Sequence, residues 1–351
     1  MGNGVTHNSA DPRSPDGTNL GRLRLGKIPI DVLEETVLKM TGKSSVSVVT
    51  PPKAGLDFAA VKVGSWYMVV SADPVTGVAE KIGEYAINVS ANDVATSGNR
   101  PRFAEAVVLL PEGSGREAVR RIGMQMHGAA KKLGVAIVGG HTEVTPGLNR
   151  PIVVVTAFSF VKDYVTSGDA REGDAIMMTK TAGLEGSAVL AGERAILGGR
   201  VEAETLRRAA KFLSRISVVE EAVAAYGTGF VHAMHDCTEG GVLGAVFEMS
   251  RASGLGFELR EGSVPVAPET RRICGCLSLD PIRLIGSGSV LLSVQAGKES
   301  KVNEALRSIC RVTRIGEFTS GRRTTVRMDG KEQSVRSSPE DELWRALGRS
   351  A

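Results

Sequence analysis

This sequence is poor in the features that mark nucleic-acid-binding and secreted proteins. Aromatic residues make up only 4% of the chain, too few for the stacking platforms of single-strand binders. The net charge is +4 over 351 residues and the basic residues are scattered, so no nucleic-acid partner is expected. Four cysteines (Cys237, Cys274, Cys276 and Cys310) form no disulfide framework in a chain of this length, which favours a cytoplasmic location.

Long apolar runs are also missing. The longest mostly apolar stretch, near residues 153–161, is too short to span a bilayer, which takes about 20 residues. The N-terminus has no apolar core of the kind found in signal peptides, so no membrane association is predicted. The length favours two domains with a large buried core.

Glycine is the residue in excess, at 42 of 351 residues, or about 12% where about 7% is usual. Tight turns and close approach of the backbone to a ligand both use glycine. Two glycine turns, GLEGS at residues 183–187 and EGG at residues 239–241, are each predicted to open a helix. The free amides of such turns could hold phosphate oxygens, although neither turn matches the full P-loop or dinucleotide pattern.

The order of predicted elements gives an α+β fold with two domains. Residues 1–20 are polar and are predicted to be a disordered lead. Residues 21–166 are predicted to form the first domain, with short strands around a helix of small residues. Residues 167–330 form the second, in which the order strand, glycine turn, helix occurs twice. Residues 331–351 are predicted to end in a helix. A first helix is predicted from an Asp31 cap to Gly42, with an apolar face formed by Val32, Leu33, Val37, Leu38 and Met40.

The small-residue helix begins the stretch IGEYAINVSANDVATSGNRPR at residues 82–102. Asn88 and Asn92 lie one turn apart, and Asp93 follows. A buried acid is costly unless it is paired, hydrogen-bonded or bound to a metal, so Asp93 requires a partner. Either an Asn–Asp pair that ties the helix to a loop or a ligand site would satisfy it.

Several apolar strands end or begin beside an acid. Asp57 precedes one strand, Asp73 lies at the end of the next, and VAIVGGHTE and FVHAMHD carry His141, Glu143 and Asp236. Acids at strand ends can converge on one cleft. With Asn92 and Asp93 the acids would form an all-oxygen site, which suits magnesium carrying a nucleotide phosphate rather than zinc. Each acid alone is more often a cap or turn residue.

Zinc and thiol chemistry are the alternatives at the second histidine motif. His232, His235 and Cys237 form H-x-x-H-x-C, but residues 232 and 235 of a strand point to opposite faces. The sequence therefore favours a structural role over zinc. Cys237 could serve as a nucleophile beside His235, although a buried inert thiol is the commoner outcome.

Five motifs occur in the order found in the aminoimidazole ribonucleotide (AIR) synthetase superfamily. They are ADPVTG near Asp73, IG-x-YA-x-N-x-x-x-NDVATSG-x-x-P at residues 82–101, VGGHTEVTPG at 138–147, GD-x-I at 173–176 and HDCTEGG at 235–241. The resemblance covers residues 26–318. Within the superfamily the chain most resembles the hydrogenase expression/formation protein E branch, which uses ATP to dehydrate a cysteine-bound carboxamide to a nitrile.

The resemblance implies a homodimer whose N-terminal domains pair into a β-barrel, a C-terminal α/β sandwich, and ATP with Mg²⁺ at the dimer interface. The implied metal ligands are Asp57, Asp73, Asp93, Glu143 and Asp236. The implied nucleotide-binding residues are Lys27, Asn92, Asp93, Gly139, Gly140 and Thr142, and the implied catalytic residues are His141, Glu143 and Asp236. The shared chemistry is phosphoryl transfer to an amide-type oxygen, which converts a poor leaving group into phosphate.

Two departures bear on the substrate. The branch usually ends in Pro-Arg-Ile-Cys, whereas this chain ends in ALGRSA with no cysteine after Cys310, so the expected acceptor is a separate small molecule or carboxamide-bearing partner. The chain also has His141-Thr142-Glu143 where the branch has Asp-Thr-Lys. Another maturation protein is an implied partner. The alternatives are a small-molecule ligase or kinase, as in the purine and thiamine branches, and a non-catalytic nucleotide-binding scaffold.

Overall fold

Two β-sheets with helices packed against them form the protein in a computed structural model that describes residues 23, 25–76, 80–321, 323–328 and 331–348. The α+β class predicted from the sequence is confirmed. The predicted lead at residues 1–20 lies outside the described residues. Within the described part of the chain, no helix is both long and apolar enough to cross a membrane.

The first sheet is built from the N-terminal half of the chain. Its elements in chain order are α1 (Ile30–Glu35), a 3-10 turn (Val37–Lys39), β1 (Val48–Thr50), β2 (Ala59–Val63), β3 (Trp66–Val75), α2 (Ile82–Ala95), β4 (Phe103–Leu110), α3 (Arg116–Leu133), β5 (Ala136–Val144) and β6 (Ile152–Val161). The strand order is β1-β2-β3-β6-β4-β5. Strands β4 and β5 pair in parallel and the other neighbours are antiparallel.

Helix α2 is the predicted small-residue helix, and nearly all of it is buried. Its small side chains allow close packing: a Cβ on Gly83 would lie 2.6 Å from the carbonyl oxygen of Ile122 in α3. One side of α2 packs on the first sheet, while Ala91 and Ala95 belong to the core of the C-terminal half. The helix therefore joins the two halves of the molecule.

The second sheet is built from the C-terminal half. Its elements are a 3-10 turn (Ser167–Asp169), β7 (Ala175–Thr179), α4 (Leu184–Gly192), α5 (Arg194–Leu197), α6 (Ala203–Ala210), a 3-10 turn (Lys211–Arg215), α7 (Val219–Tyr226), β8 (Val231–Asp236), α8 (Gly241–Ser253), β9 (Gly256–Arg260), a 3-10 turn (Glu261–Ser263), α9 (Pro268–Leu277), β10 (Val290–Val294), α10 (Glu299–Leu306), β11 (Val312–Thr319), β12 (Thr324–Met328), β13 (Lys331–Ser334) and α11 (Glu342–Ala346). The strand order is β13-β12-β9-β11-β7-β10-β8.

Both faces of the second sheet are covered, so its central strands are apolar throughout. In β7, Ile176 and Met178 pack in the cluster that contains α8, whereas Ala175 and Met177 pack with α7 and α10. This alternation follows from side chains pointing to opposite faces of a strand. The result is a layered α/β arrangement, as the resemblance implied.

The first helix differs from its prediction. Helix α1 begins at Ile30, with Asp31 in its first turn, and ends at Glu35. The predicted apolar residues Val37 and Met40 are 63% and 78% exposed. The apolar spacing is typical of a core-facing helix, and Ile30 does pack on the core of the C-terminal half. The backbone turns away at Thr36, so Val37 and Met40 meet no core among the described residues. The C-terminal helix is also shorter than the predicted range, because residues Lys331–Ser334 form β13.

The predicted domain limits of 21–166 and 167–330 stay predictions. The two sheets lie on either side of residues 162–174, which is compatible with a junction near the polar segment at 167–173.

Candidate active site

Four aspartates from four elements converge where the two halves meet, and we call Asp57, Asp73, Asp93 and Asp236 the acid cluster. Asp57 lies in the turn before β2, Asp73 on β3, Asp93 on α2 and Asp236 at the end of β8. Ser71 donates a hydrogen bond of 2.6 Å to the Asp93 carboxylate. Burial raises the pKa of Asp93 well above its usual range, and the charges of Asp73 and then Asp236 raise it further.

The cluster contains buried carboxylate oxygens with no hydrogen-bond donor. Both oxygens of Asp236 and the Oδ2 atom of Asp57 have no partner among the described residues. Asp236 is 1% exposed, so water does not satisfy these atoms from the bulk. Buried carboxylates are normally paired or bound to a metal. Hard oxygen atoms so arranged fit Mg²⁺, which prefers carboxylate ligands.

His235 is part of the same group but is not a free metal ligand. Its Nδ1 contacts Asp57, and its Nε2 lies 2.9 Å from an oxygen of Glu248. Burial alone would lower the pKa of His235, but Asp57 and Glu248 raise it to about 10. Because each ring nitrogen faces a carboxylate, neither nitrogen points into open space where a metal could bind. Although ligand atoms of Asp57, His235 and Asp236 lie within 4.8 Å of one another, the histidine is better described as a cation that fixes Asp57.

Lys27 reaches the site from the segment before α1. Its Nζ lies 2.8 and 3.0 Å from the two oxygens of Glu248, and its backbone N–H donates to Glu239 at 2.7 Å. Burial alone would lower the pKa of Lys27, but Glu248, with smaller contributions from Asp57 and Asp236, raises it above its usual range and keeps the lysine charged. Burial alone would raise the pKa of Glu248, but Lys27 and His235 lower it to about 2. Lys27 is half-exposed at this edge of the site.

The charges at the site do not balance. Two cations, Lys27 and His235, face the four carboxyl groups of the acid cluster and the carboxylate of Glu248. Full ionisation would leave three uncompensated negative charges in a buried space, which is costly. Burial, followed by the charge of Asp57, accordingly raises the pKa of Asp236 to about 8. A divalent cation would offset two of these three charges.

Asn92 does not face the acid cluster. Its amide group donates to the Ile216 carbonyl at 2.8 Å, and its carbonyl accepts from the Val218 amide at 2.8 Å. Both ends of the side chain are thus used to hold α2 to the segment before α7. Of the two roles considered from the sequence, Asn92 has the structural one, because it ties the helix to a loop. The neighbouring Asp93 points towards the other acids.

The motif residues of β5 lie apart from the acid cluster within one chain. Asp73 pairs with Val155, Val155 with Ala106, and Ala106 with Gly140, so β5 is three strands away from β3. At about 4.8 Å per strand this separation is about 14 Å along the sheet. The five motif residues on this exposed strand are Gly139, Gly140, His141, Thr142 and Glu143.

Two of these residues interact with each other. His141 lies 3.0 Å from Glu143, which also accepts a hydrogen bond of 2.8 Å from Thr145. The Thr145 bond, followed by the His141 bond, lowers the pKa of Glu143. Packing within the sheet explains why residue 140 is glycine. Its φ is +146°, and a Cβ there would lie 1.9 Å from the Ala106 carbonyl oxygen.

The two glycine turns do open helices, as predicted, but several of their amides are engaged. Gly183 and Gly240 adopt the left-handed conformation before α4 and α8. The Gly240 amide donates to Asp341 at 2.7 Å, and the Gly186 amide donates to the Ile285 carbonyl. These amides are not free to hold phosphate.

The structure gives no support to a zinc site at the H-x-x-H-x-C motif. His232 lies 2.9 Å from Asp174, on the other side of β8 from His235. All four cysteines are free, and burial raises the pKa of Cys237 well above that of an ordinary thiol. A thiol held protonated in this way is a poor nucleophile.

Two buried glutamates, Glu248 and Glu185, are not predicted as site residues from the sequence, and Glu248 contacts both His235 and Lys27 of the site. Glu248 lies within α8, two turns beyond its start, in an otherwise apolar helix. A carboxylate on the buried face of such a helix is a signal that could have been noticed. For Glu185 the sequence indicates only a position in the glycine turn at residues 183–187.

The fold and the acid cluster define a class of two-domain proteins in which a β-rich N-terminal domain and an α/β C-terminal domain place carboxylates at their junction. The sequence profile of the AIR synthase related protein N-terminal domain matches residues 55–161, and that of the C-terminal domain matches residues 171–329. The chain belongs to this family of AIR synthase related proteins.

Among characterised relatives, the chain is similar to the carbamoyl dehydratase HypE of Cupriavidus necator, at 30% identity over 265 residues, or 73% of this chain and 72% of that protein. The fold is similar to that of HypE in a HypE–HypF complex, with a TM-score of 0.72, 21% identity, and coverage of 87% of this chain and 99% of that chain. It is also similar to HypE in complex with ATP, with a TM-score of 0.67, 20% identity, and coverage of 90% and 93%.

Proposed function

We propose that this protein is an ATP- and Mg²⁺-dependent enzyme that activates a carboxamide-type oxygen by phosphoryl transfer, as a relative of the carbamoyl dehydratases. The observation that carries the proposal is the set of buried, donor-free carboxylate oxygens on Asp57 and Asp236 in a cluster with excess negative charge. A purely structural acid network would be expected to satisfy these oxygens with protein donors.

The residues of the acid cluster would hold Mg²⁺ and, through it, the phosphates of ATP. The bound cation would neutralise charge that develops on the transferred phosphoryl group. His235 fixes the orientation of Asp57, and Glu248 orders both His235 and Lys27. Lys27, which is charged and half-exposed, is placed to contact a phosphate at the edge of the site.

We further propose that the enzyme is a homodimer and that β5 of one subunit completes the site of the other. The support is the exposure of β5 along its whole length, including Ile137, Val138 and Val144. An edge strand exposing aliphatic residues is a liability unless it is covered. A second copy would cover it and would carry His141, Thr142 and Glu143 towards the acids that they cannot reach within one chain.

In this proposal the acceptor is a separate carboxamide, either a small molecule or a group on another maturation protein. The HypE–HypF complex gives a precedent for such a partner in the family. The free cysteines support a cytoplasmic location, because a reducing compartment keeps thiols unpaired.

The test is the product formed from a carboxamide acceptor. Purified protein is incubated with Mg²⁺-ATP and S-carbamoylcysteine, and the products are identified by mass spectrometry together with ADP and phosphate release. We expect loss of water from the acceptor to give the nitrile, with one phosphate released for each acceptor converted. A stable phosphorylated acceptor would identify a kinase instead, and binding of nucleotide without turnover would identify a scaffold.

A further inference from the structure

A second buried acid, outside the acid cluster, lies in the first turn of α4. Glu185 is 5% exposed, and its Oε2 has no hydrogen-bond partner among the described residues. Its carboxylate is held by the backbone and the side chain of Ser287 and by the Tyr85 hydroxyl. We call Glu185, Tyr85 and Ser287 the Glu185 group.

The Glu185 group spans both halves of the molecule, and its Tyr85 lies within electrostatic range of Asp236. Tyr85 comes from α2, and its hydroxyl lies 3.5 Å from the Ser287 hydroxyl. Burial, followed by the charge of Glu185, raises the pKa of Tyr85, and Asp236 also contributes. The tyrosine is therefore within electrostatic range of both acids. The loop before Ser287 lies between the end of β8 and the start of α4, because a Cβ on Gly286 would be 3.4 Å from the Cβ of Cys237 and 3.5 Å from the Gly183 amide nitrogen.

The surroundings of Glu185 hold it in place. The loop carrying Ser287 passes so close to residues 215–216 that a Cβ on Gly288 would lie 2.9 Å from the Cα of Ile216. The Gly186 amide, next to Glu185, is bonded to the Ile285 carbonyl. Because both backbone segments are fixed, the carboxylate cannot easily turn to find a donor elsewhere. A buried oxygen without a donor is costly, so the arrangement is completed by a ligand that carries one.

We propose that Glu185 binds the amino group of a primary carboxamide whose oxygen faces the acid cluster. This inference rests on the proposed function and adds the group that would recognise the acceptor. A primary carboxamide has an acceptor oxygen at one end and two N–H donors at the other. The oxygen suits the Mg²⁺ proposed at the acid cluster, and the N–H donors suit the unpartnered Oε2 of Glu185. An ester or a fully N-substituted amide offers no donor and should be rejected.

The test compares Glu185→Gln with Glu193→Gln, an exposed glutamate at the opposite end of the same helix. Glutamine keeps the size and one acceptor oxygen, so Ser287 and Tyr85 retain a partner, but its amino group meets the N–H donors of the substrate. ADP release is measured with S-carbamoylcysteine and with its N,N-dimethyl analogue. Thermal unfolding and Mg²⁺-ATP affinity are measured for each variant as folding and nucleotide-site controls.

For Glu185→Gln we expect the KM for S-carbamoylcysteine to rise by about tenfold or more, as for loss of a hydrogen bond to a charged group. Mg²⁺-ATP affinity should stay within about twofold of wild type, and Glu193→Gln should behave as wild type. Tyr85→Phe, which removes a single donor to the other oxygen of Glu185, should raise the same KM by a smaller factor and serves as a second variant.

The outcomes separate this inference from the function on which it rests. If the wild type does not bind Mg²⁺-ATP, the proposed function fails. If it binds Mg²⁺-ATP but neither carboxamide stimulates turnover, or the dimethyl analogue is used equally well, the assignment of a primary carboxamide is wrong. An unchanged KM in a folded Glu185→Gln variant would show that Glu185 only secures the loop carrying Ser287.

Discussion

Replacing Asp236 by asparagine should stabilise the ligand-free protein while removing its response to Mg²⁺-ATP. Asp236 is 1% exposed, and both of its carboxylate oxygens lack a donor among the described residues. Burial and the charge of Asp57 raise its pKa to about 8 from an ordinary value of 3.8. Such a group opposes folding at neutral pH, because the unfolded chain ionises it freely whereas the folded protein must either protonate it or bury its charge.

The magnitude follows from that pKa difference. An acid with a raised pKa favours the folded state below pH 3.8, and this contribution is lost as the pH rises through about 8. At pH 7 the difference of about three pH units from 3.8 corresponds to at most about 4 kcal/mol. Asparagine still has a buried polar amide, so we expect a net gain of about 1–3 kcal/mol, which is a few degrees in Tm.

The assay is thermal unfolding of both proteins from pH 4 to pH 9 with EDTA, and again with Mg²⁺-ATP. The advantage of Asp236→Asn should grow between pH 4 and 8 and then level off. At 100 times its Kd, Mg²⁺-ATP should stabilise the wild type by about 2.7 kcal/mol and the variant much less. The exposed Glu117→Gln on α3 is the control. If Asp236→Asn is less stable at every pH, or equally stabilised by Mg²⁺-ATP, the reasoning fails.

Three further predictions address other parts of the site. Glu248→Gln should destabilise the protein by about 2 kcal/mol at pH 7 because it leaves Lys27 and His235 with a weaker partner. Since the pKa of Glu248 is lowered from 4.5 to about 2, this difference should be present above pH 4.5 and shrink as the pH falls towards 2, as measured by thermal unfolding. Asn92→Ala should cost about 2–4 kcal/mol of stability, since two buried backbone groups lose their partners, with Mg²⁺-ATP affinity within about threefold of wild type by calorimetry. Mixing inactive Asp93→Asn and Glu143→Gln subunits should restore about a quarter of the wild-type sites, because half of randomly formed dimers are mixed and have one intact site each.

Each of these predictions has its own contradicting result. A pH-independent effect of Glu248→Gln would show that its charge does not support folding. Loss of nucleotide affinity in a folded Asn92→Ala protein would return Asn92 to the nucleotide-binding residues. No activity in mixtures of the two inactive variants, after exchange of subunits is verified with labelled chains, would place Glu143 outside the partner's site.

Much of the fold could be predicted because its signals are local. The small-residue helix at α2, the alternating strands and the glycine turns before α4 and α8 each follow from the residue pattern nearby. The prediction that the helix continues beyond Glu35 is wrong, because apolar spacing does not reveal whether a core lies opposite the segment. Strands β9, β11 and β12 are not predicted, since β9 pairs with β11 and β12 more than 50 residues further along the chain, and β13 is added by a hairpin with β12.

The acids of the site could be proposed from the sequence, but their partners could not. Asp57, Asp93 and Asp236 stand beside recognisable turns and motifs, and the fold brings them together. Glu248 is the buried acid of an otherwise apolar helix. Its partner Lys27 is 221 residues away in the sequence, and its partner His235 is 13 residues away. Asn92 and Asp93 are adjacent in one motif, yet helical geometry turns their side chains to different neighbours.

The most direct test of the central claim is calorimetric titration of ATP into the wild type and Asp93→Asn, each with and without Mg²⁺. We predict ATP binding that depends on Mg²⁺ in the wild type and is weakened by about tenfold or more in Asp93→Asn, while both proteins keep the same circular dichroism spectrum. Binding that is equally tight without Mg²⁺, or unaffected by the substitution, would contradict the assignment of the acid cluster to the metal–nucleotide site.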